Sequence, residues 1–454
     1  MLGRERSVGK SVTLLLTGGR GTSFRPCSFP SLCVPGLLLA VLLGGCATRT
    51  PAPPPAVSER RAQSSHPTPT ALPPMPEGGY TWQHLVAHAV AANPDHAAIL
   101  AEAHAEYLRY KSKTDLQDPR LTLDYTDRDA DDDRYGGAIR LYTPNPFVNR
   151  HLLRTGEAAR RETEAGAEML KREIALTVYE LVQEVLSEER MLAVLRERER
   201  VLSDWAAHMK TRLDAHVATQ ADVLSIDLQR LRLKASIQQR RLAAQTARRS
   251  LQALTQIPGG QLTLDPTPPD WQAVLDTFED ERALVETAFS CSAELAAAQA
   301  AYEKARATLD TAKARQIPWF SFVQAGYTTR DSSDANDLRL RLALNIPLFA
   351  WMNSETKMAT AQMDAATLRA EGIRQRVRSE LAGRLADLRE TIELWGDYRA
   401  ALDSLPEPVR EAIPDAETFY KLSDTRLSAS EYLHQTELRC ALIYGQLLSI
   451  AGGM

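Results

Sequence analysis

The sequence predicts a mainly α-helical fold with a small β part, laid out twice along the chain. Three observations predict it. First, two alanine-rich helical stretches, 93–111 and 292–315, each stop just ahead of a proline, Pro119 or Pro318. Second, each proline is followed by alternating apolar and polar residues, an acidic segment and a second alternating run, the period-2 pattern of a hairpin. Third, each hairpin leads into a long stretch with apolar residues on steps of three, four and seven. The order helix, strand, acidic loop, strand, long helix, turn, long helix thus occurs twice, and a duplicated unit is inferred. The first unit is placed at 80–260 (hairpin 119–146, helical hairpin 147–256). The second is placed at 261–454 (hairpin 318–347, helical hairpin 348–450).

The beginning of the chain reads as an address. Residues 34–45, VPGLLLAVLLGG, form an apolar run too short to span a membrane as a helix, which takes ~20 residues. It suits the core of a signal peptide over 1–45. The run ends in Leu43-Gly44-Gly45-Cys46, which resembles a lipobox and makes Cys46 the expected lipidation site, here with Ala47 after it. Residues 46–79 are proline-rich, lack apolar periodicity and read as a tether.

In the first hairpin Leu121, Leu123 and Tyr125 oppose Ile139 and Leu141. In the second, 318–328 opposes 338–347. The loops, 127–137 and 330–337, are acidic. Asp127, Asp129 and Asp131 have calcium-like spacing, but the loop lacks the sixth-position glycine and twelfth-position glutamate of a calcium loop, so solvated tips are expected. From Phe147 to about Arg212 no proline intervenes, which predicts a helix of about 100 Å. Leu170, Ile174, Val178, Leu181, Val185, Leu192, Leu195, Leu202, Met209 and Leu213 form its seam. The return helix, 220–256, carries Leu224, Leu228, Leu231, Ala235 and Leu242 in the same rhythm.

The last strand poses the functional question. Leu338, Leu340, Leu342, Leu344 and Ile346 alternate with Arg339, Arg341, Ala343 and Asn345. Such a strand either covers a soluble core or forms a wall between lipid and water. Four strands cannot close a barrel, and an open edge in lipid leaves backbone groups unpaired. A membrane reading therefore requires several copies to share one barrel. An arginine facing lipid at mid-membrane costs about 2–4 kcal/mol, so Arg140, Arg339 and Arg341 would face the lumen. The address, the duplication and the helix lengths favour the wall.

Other classes fit poorly. A net charge of -4 without a concentrated basic face gives no case for nucleic acid. The chain has no phosphate-cradling glycine loop, nucleophile elbow or metalloprotease motif, so no enzyme is expected. Cys291 and Cys440 are isolated, which argues against a zinc cluster and leaves their pairing open. His84 and His88 share one helical face at a metal-capable spacing, but solvent-facing roles are expected for them and for His208 and His216. A lipid-anchored coiled-coil scaffold without a pore is the alternative from another class.

Over about 80–450 the chain resembles the TolC-type outer-membrane efflux family. The resemblance rests on TWQHLVAHAVAANPDHAAIL, the proline before each hairpin, LALNIPLFAWMNSETKMATAQMDAA, and the turn regions 212–232 and 420–439. It implies a homotrimer with a twelve-stranded β-barrel in outer-membrane lipid, continued by a periplasmic α-helical barrel. It also implies docking to a periplasmic adaptor protein and an inner-membrane pump. LPEPVREAIPDAETFYKLSDTRL resembles the heavy-metal branch, which would make metal ions the cargo; protein or drug export is the alternative. The resemblance puts adaptor docking at Val217, Ala218 and Thr219 in one turn and Thr425, Arg426, Leu427 and Ser428 in the other. Glycine is usual at such turns, and here His216 and Ser423 stand near those places. Asp214 and Asp222 are expected to flank the first turn, and Asp424 and Glu431 the second, as carboxylate rings that would gate cations.

Overall fold

The structure is a computed structural model and describes residues 80–126, 134–258, 262–267, 269–330, 333–347, 354–408 and 415–453. The expected signal peptide, Cys46, the tether and most of the first acidic loop lie outside the described residues; of the second, expected over 330–337, only 331–332 do, and the last strand already begins at Ser333. Helix α1 (Trp82–Ala92) is followed by α2 (Pro94–Lys111). Strands β1 (Arg120–Thr126) and β2 (Arg134–Tyr142) lead into α3, which runs unbroken over 69 residues, Pro146–Asp214, and returns as α4, Gln220–Thr255. Then come α5 (Trp271–Asp276), α6 (Glu281–Cys291) and α7 (Ala293–Ala314). Strands β3 (Trp319–Arg330) and β4 (Ser333–Asn345) precede α8 (Ser354–Ser404) and α9 (Ala416–Ala451).

Asparagine–proline pairs start two of these helices. Asn93 Oδ1 accepts from the backbone N–H groups of Asp95 and His96, and Asn145 Oδ1 from those of Phe147 and Val148. Pro94 and Pro146 occupy first-turn positions where the missing N–H has no partner to lose.

Helix α3 is the spine. Near the strands it lies between α2 and α7; farther out it lies between α4 and α9. Helix α8 packs against α7 and then α9. The near half is built from small residues. Ala158, Ala159, Ala165 and Ala167 of α3 and Ala298, Ala300, Ala307 and Ala312 of α7 are all buried. Lys304–Glu162 at 2.8 Å and Arg161–Glu303 at 3.2 Å tie α3 to α7 along this seam.

The middle holds two cores in equivalent places. One joins Leu85, Ile174, Val178, Val182, Val185, Leu251 and Ile257. The other joins Trp271, Leu381, Leu385, Leu388, Cys440 and Leu447. Each fully buried leucine contributes roughly 1.5–3 kcal/mol. Edge-to-face ring pairs Trp82–Tyr179, Tyr179–Tyr444 and Tyr444–Trp271, at 5.4, 6.4 and 6.2 Å between centroids, link the two cores.

The expected seam of α3 faces inward: Ile174, Val178, Val185, Leu192, Leu195, Leu202 and Met209 are buried. That of α4 does not. Val223, Ile226, Ala247 and Leu251 face α3 instead, while Leu224, Leu228, Leu231 and Leu242 are 56, 56, 63 and 62% exposed. Their periodicity marks an apolar face that no element among the described residues covers.

The second distal turn also differs from the expectation. Helix α9 is continuous through 423–431, and the chain reverses between Ser404 and Ala416. Tyr398 stacks on Tyr432 at 5.8 Å and Arg426 Nη1 donates to the Leu405 carbonyl at 2.9 Å, so α8 and α9 run antiparallel up to that reversal. Thr425, Arg426, Leu427 and Ser428 therefore lie two to three helical turns inside α9, and Asp424 and Glu431 do not flank the turn.

Candidate functional site

The four strands form one antiparallel sheet in the order β1-β2-β3-β4. The register sorts the residues cleanly between two faces. Leu121↔Ile139↔Ala325↔Leu340 is one row of partners, and Tyr125↔Tyr135↔Thr329 is another on the same face. The row between them brings Leu123, Tyr327 and Leu338 together around Gly137. Leu141, Val323 and Leu342 extend the same face toward the helices.

This apolar face is uncovered. Leu123 is 77% exposed, Leu338 82% and Leu340 77%; Leu121, Tyr125, Tyr135, Ile139, Leu141, Tyr327, Leu342 and Leu344 are exposed as well. A water-soluble monomer rarely shows a contiguous apolar patch of that extent.

The opposite face is polar. Arg120↔Arg140↔Gln324↔Arg341 forms one row, and Thr122↔Ala138↔Gly326↔Arg339 the next. The three arginines expected on this face, Arg140, Arg339 and Arg341, all lie there, and Arg120 joins them. Arg140 donates to Gln324 Oε1 from Nε at 3.1 Å and from Nη2 at 2.8 Å, with its guanidinium 4.4 Å from the Phe322 ring centroid. A Cβ on Gly326 would stand 3.3 Å from the Cβ of Ala138. Small residues at these positions let the two strands carry the longer arginines on either side.

Aromatic rings mark both ends of the sheet. Tyr125 and Tyr135 pair at 5.1 Å beside the loops, and Phe147–Trp319 at 5.9 Å and Tyr142–Phe322 at 6.5 Å pair where the strands meet the helices. Tyr125 and Tyr135 stand on the apolar face, where rings suit a water–lipid boundary, whereas Tyr142 and Phe322 share the face of Arg140. Strands β1 and β4 are open edges among the described residues. The lateral order of the strands matches that of the helices: β1 follows α2, β2 enters α3, β3 leaves α7 and β4 precedes α8. The outer members, α2 and α4 on one side and α8 on the other, continue the open edges downward. No helix among the described residues is long and apolar enough to cross a membrane.

At the distal end α3 closes in a Schellman turn. His216 N–H donates to the Leu213 carbonyl and Val217 N–H to the Arg212 carbonyl, both at 2.9 Å. His216 has φ 59°, the left-handed conformation that favours glycine. Replacing it should help: His216→Gly is expected to stabilise this turn by about 1 kcal/mol, because a non-glycine residue at positive φ costs that much. Slower amide exchange at Val217 and Ala218 is the measurement that checks it.

Thr219 caps α4, and Asp222 Oδ2 accepts from its backbone N–H at 2.9 Å and its hydroxyl at 2.7 Å. Those two hydrogen bonds hold the Asp222 carboxyl below its ordinary range. Asp424 pairs with Arg198 at 2.7 Å and Glu431 with the same arginine at 3.4 Å, while Ser428 Oγ accepts from it at 3.3 Å. These residues thus clasp α9 to α3. Of the four carboxylates expected to form gating rings, Asp214 alone has no recorded partner among the described residues. Val217, 64% exposed, keeps the first turn open as a surface. Trp205, stacked between His208 at 5.4 Å and Tyr420 at 5.3 Å, staples the same end.

No protein-family model matches the chain, and no curated protein matches it. Solved structures do. A membrane protein from Pseudomonas aeruginosa superposes with a TM-score of 0.67 at 15% identity, over 82% of this chain and 92% of that one. CusC, described by its transmembrane channel formation, superposes with a TM-score of 0.65 at 15% identity over the same shares. The outer membrane protein VceC of Vibrio cholerae superposes with a TM-score of 0.60 at 14% identity, over 82% and 96%. The chain has the fold of outer-membrane channel proteins.

Within that fold the remaining expected residues are ordinary. His84 Nδ1 lies 2.9 Å from the Thr81 hydroxyl, and no cluster of three metal-capable side chains occurs among the described residues. Cys291 and Cys440 are both free thiols. Cys291 is exposed, whereas Cys440 is buried in the second core, where desolvation pushes its thiol up to about 12. Maleimide at pH 8 is therefore expected to modify Cys291 in the folded protein and Cys440 only after denaturation; peptide mapping distinguishes the two. Arg198 and Arg120 escaped the sequence reading. Arg120 alternates with Leu121 as Arg140 does with Leu141, so its face was legible. Nothing local marks Arg198 among the many arginines of α3.

Proposed function

We propose that the chain is one protomer of a trimeric outer-membrane efflux duct of the TolC type, passive and without bond chemistry. The observation that carries this reading is the uncovered apolar face of a sheet with two open edges, continuous with a helix of 69 residues. A leucine face of that size needs lipid, and open edges in lipid need partners. Because the chain's two lateral edges differ, copies join head to tail, and such an interface gives a ring when its rotation closes. Three copies supply twelve strands and leave a lumen; two would supply eight, a number whose interior side chains fill. The exposed leucines of α4 and Leu368 of α8, 68% exposed, then meet across neighbouring copies.

The anchor suits this placement. Tyr80 packs at the level of Val178, about 50 Å along α3 from the sheet. Residues 47–79 reach up to about 100 Å in polyproline geometry, enough to return a lipidated Cys46 to the membrane. Docking of a periplasmic adaptor, and through it an inner-membrane pump, is proposed at the exposed distal turn around Val217, Ala218 and Thr219. Resemblance to the heavy-metal branch supports metal ions as cargo; the lumen chemistry considered next bears against free cations.

The test is direct. The purified chain should migrate as a heat-modifiable trimer and conduct in planar bilayers. A monomer in detergent without conductance would instead support the lipid-anchored scaffold. Cys46→Ser should leave the trimer intact and remove the lipid, read by mass spectrometry.

A further inference from the structure

Among the described residues, the polar face of the sheet carries more positive than negative charge. Arg120, Arg140 and Arg341 stand in a single row across the strands with Gln324, and Arg120 and Arg140 are direct partners. Like charges placed opposite one another destabilise a sheet. Gln324 gives Arg140 an acceptor but no charge, and no carboxylate is recorded against Arg120 or Arg341 among the described residues. The next row adds Arg339, whose 3.4 Å pair with Asp337 is half exposed on both sides. Thr122, Ala138, Gly326 and Ala343 on this face are small or neutral, while Tyr142 and Phe322 share it beside the arginine row and Arg140 lies over the Phe322 ring. Asp124 and Asp337 are the carboxylates described on this face, against four arginines.

From this arrangement we infer that the barrel lumen selects for small anions and anionic organic solutes over free cations. The inference rests on the proposed duct and names its cargo class. Three copies bring nine such guanidiniums into the lumen, spread over an inclined band because barrel strands tilt. A ring of arginines attracts anions and raises their local concentration. Its field extends about 10 Å at 0.1 M salt, comparable with the space inside a twelve-stranded barrel once arginine side chains project into it.

Reversal potentials in a KCl gradient across planar bilayers test this on the full-length protein. Chloride should be preferred over potassium roughly threefold at 0.1 M salt, with the preference fading at 1 M. Arg120→Gln/Arg341→Gln should bring the ratio near unity, while Arg120→Lys/Arg341→Lys keeps it. Heat-modifiable trimer mobility reports that each variant has assembled. A cation-preferring wild-type channel, or a glutamine variant with the wild-type ratio, overturns the inference and leaves the duct standing. Absence of any trimer and any conductance in the wild type removes the duct itself.

Discussion

Leu340→Arg is expected to abolish assembly in the outer membrane. Leu340 is 77% exposed in the isolated chain, at the middle of the apolar face and flanked by Arg339 and Arg341 on the other. If that face met water, a charge there would be harmless, and solubility would rise. Facing lipid, each arginine costs about 2–4 kcal/mol near the midplane. Three copies carry the charge, so the whole assembly bears the cost three times over. Loss of the heat-modifiable trimer from the outer-membrane fraction, with the Leu340→Phe protein unaffected, is the expected result. Normal trimer levels in Leu340→Arg would mean that the leucine face does not meet lipid.

Gly445→Leu is expected to be the most damaging single change in the helical part. A Cβ at Gly445 would stand 2.5 Å from Tyr179 Cδ1, so α9 lies directly on the tyrosine ring. Tyr179 is 1% exposed and links the two cores through Trp82 and Tyr444. A flexible neighbour would yield, but this ring is packed on several sides. Overpacking a site of this kind costs typically 1–3 kcal/mol, and a four-carbon side chain should reach roughly the upper end. The variant should melt earlier and expose α9 to protease, and Tyr179→Ala in the same chain should restore part of the loss. A Gly445→Leu protein with wild-type melting would show that α9 does not approach α3 this closely.

Much of this architecture is legible in the sequence, and the failures have a physical pattern. Pro119 and Pro318 mark the hairpins because proline ends a helical run, and the asparagine–proline pairs at 93–94 and 145–146 start helices for a reason visible in two residues. Alternation marks the faces of β1, β2 and β4, but not of β3, whose pairing with β4 is irregular between Phe320 and Phe322. Periodicity alone could not say where the partner of a face resides. The leucines of α4 have the spacing of a seam, yet the chain itself covers Val223 and Ile226 instead. The second turn was placed at Ser423 by likeness to other chains. Pro406, Pro408 and Pro414 were the stronger local signal, and the helix stops there. Gating carboxylates were the least legible. Whether Asp424 is free or held depends on Arg198, more than two hundred residues away.

The shared lateral order of strands and helices constrains how neighbouring copies can meet. Sliding one open strand edge along its neighbour while keeping the same faces aligned takes steps of two residues, about 6.6 Å. Sliding one helix along another between equivalent heptad positions takes steps of about 10 Å. The two spacings do not coincide over short displacements. A protomer displaced by one strand step would therefore sit between settings of its helix seam, like a vernier with a single matching mark. Two modest interfaces of unequal pitch, rigidly joined by α3, can fix the axial offset of the ring more tightly than either could alone.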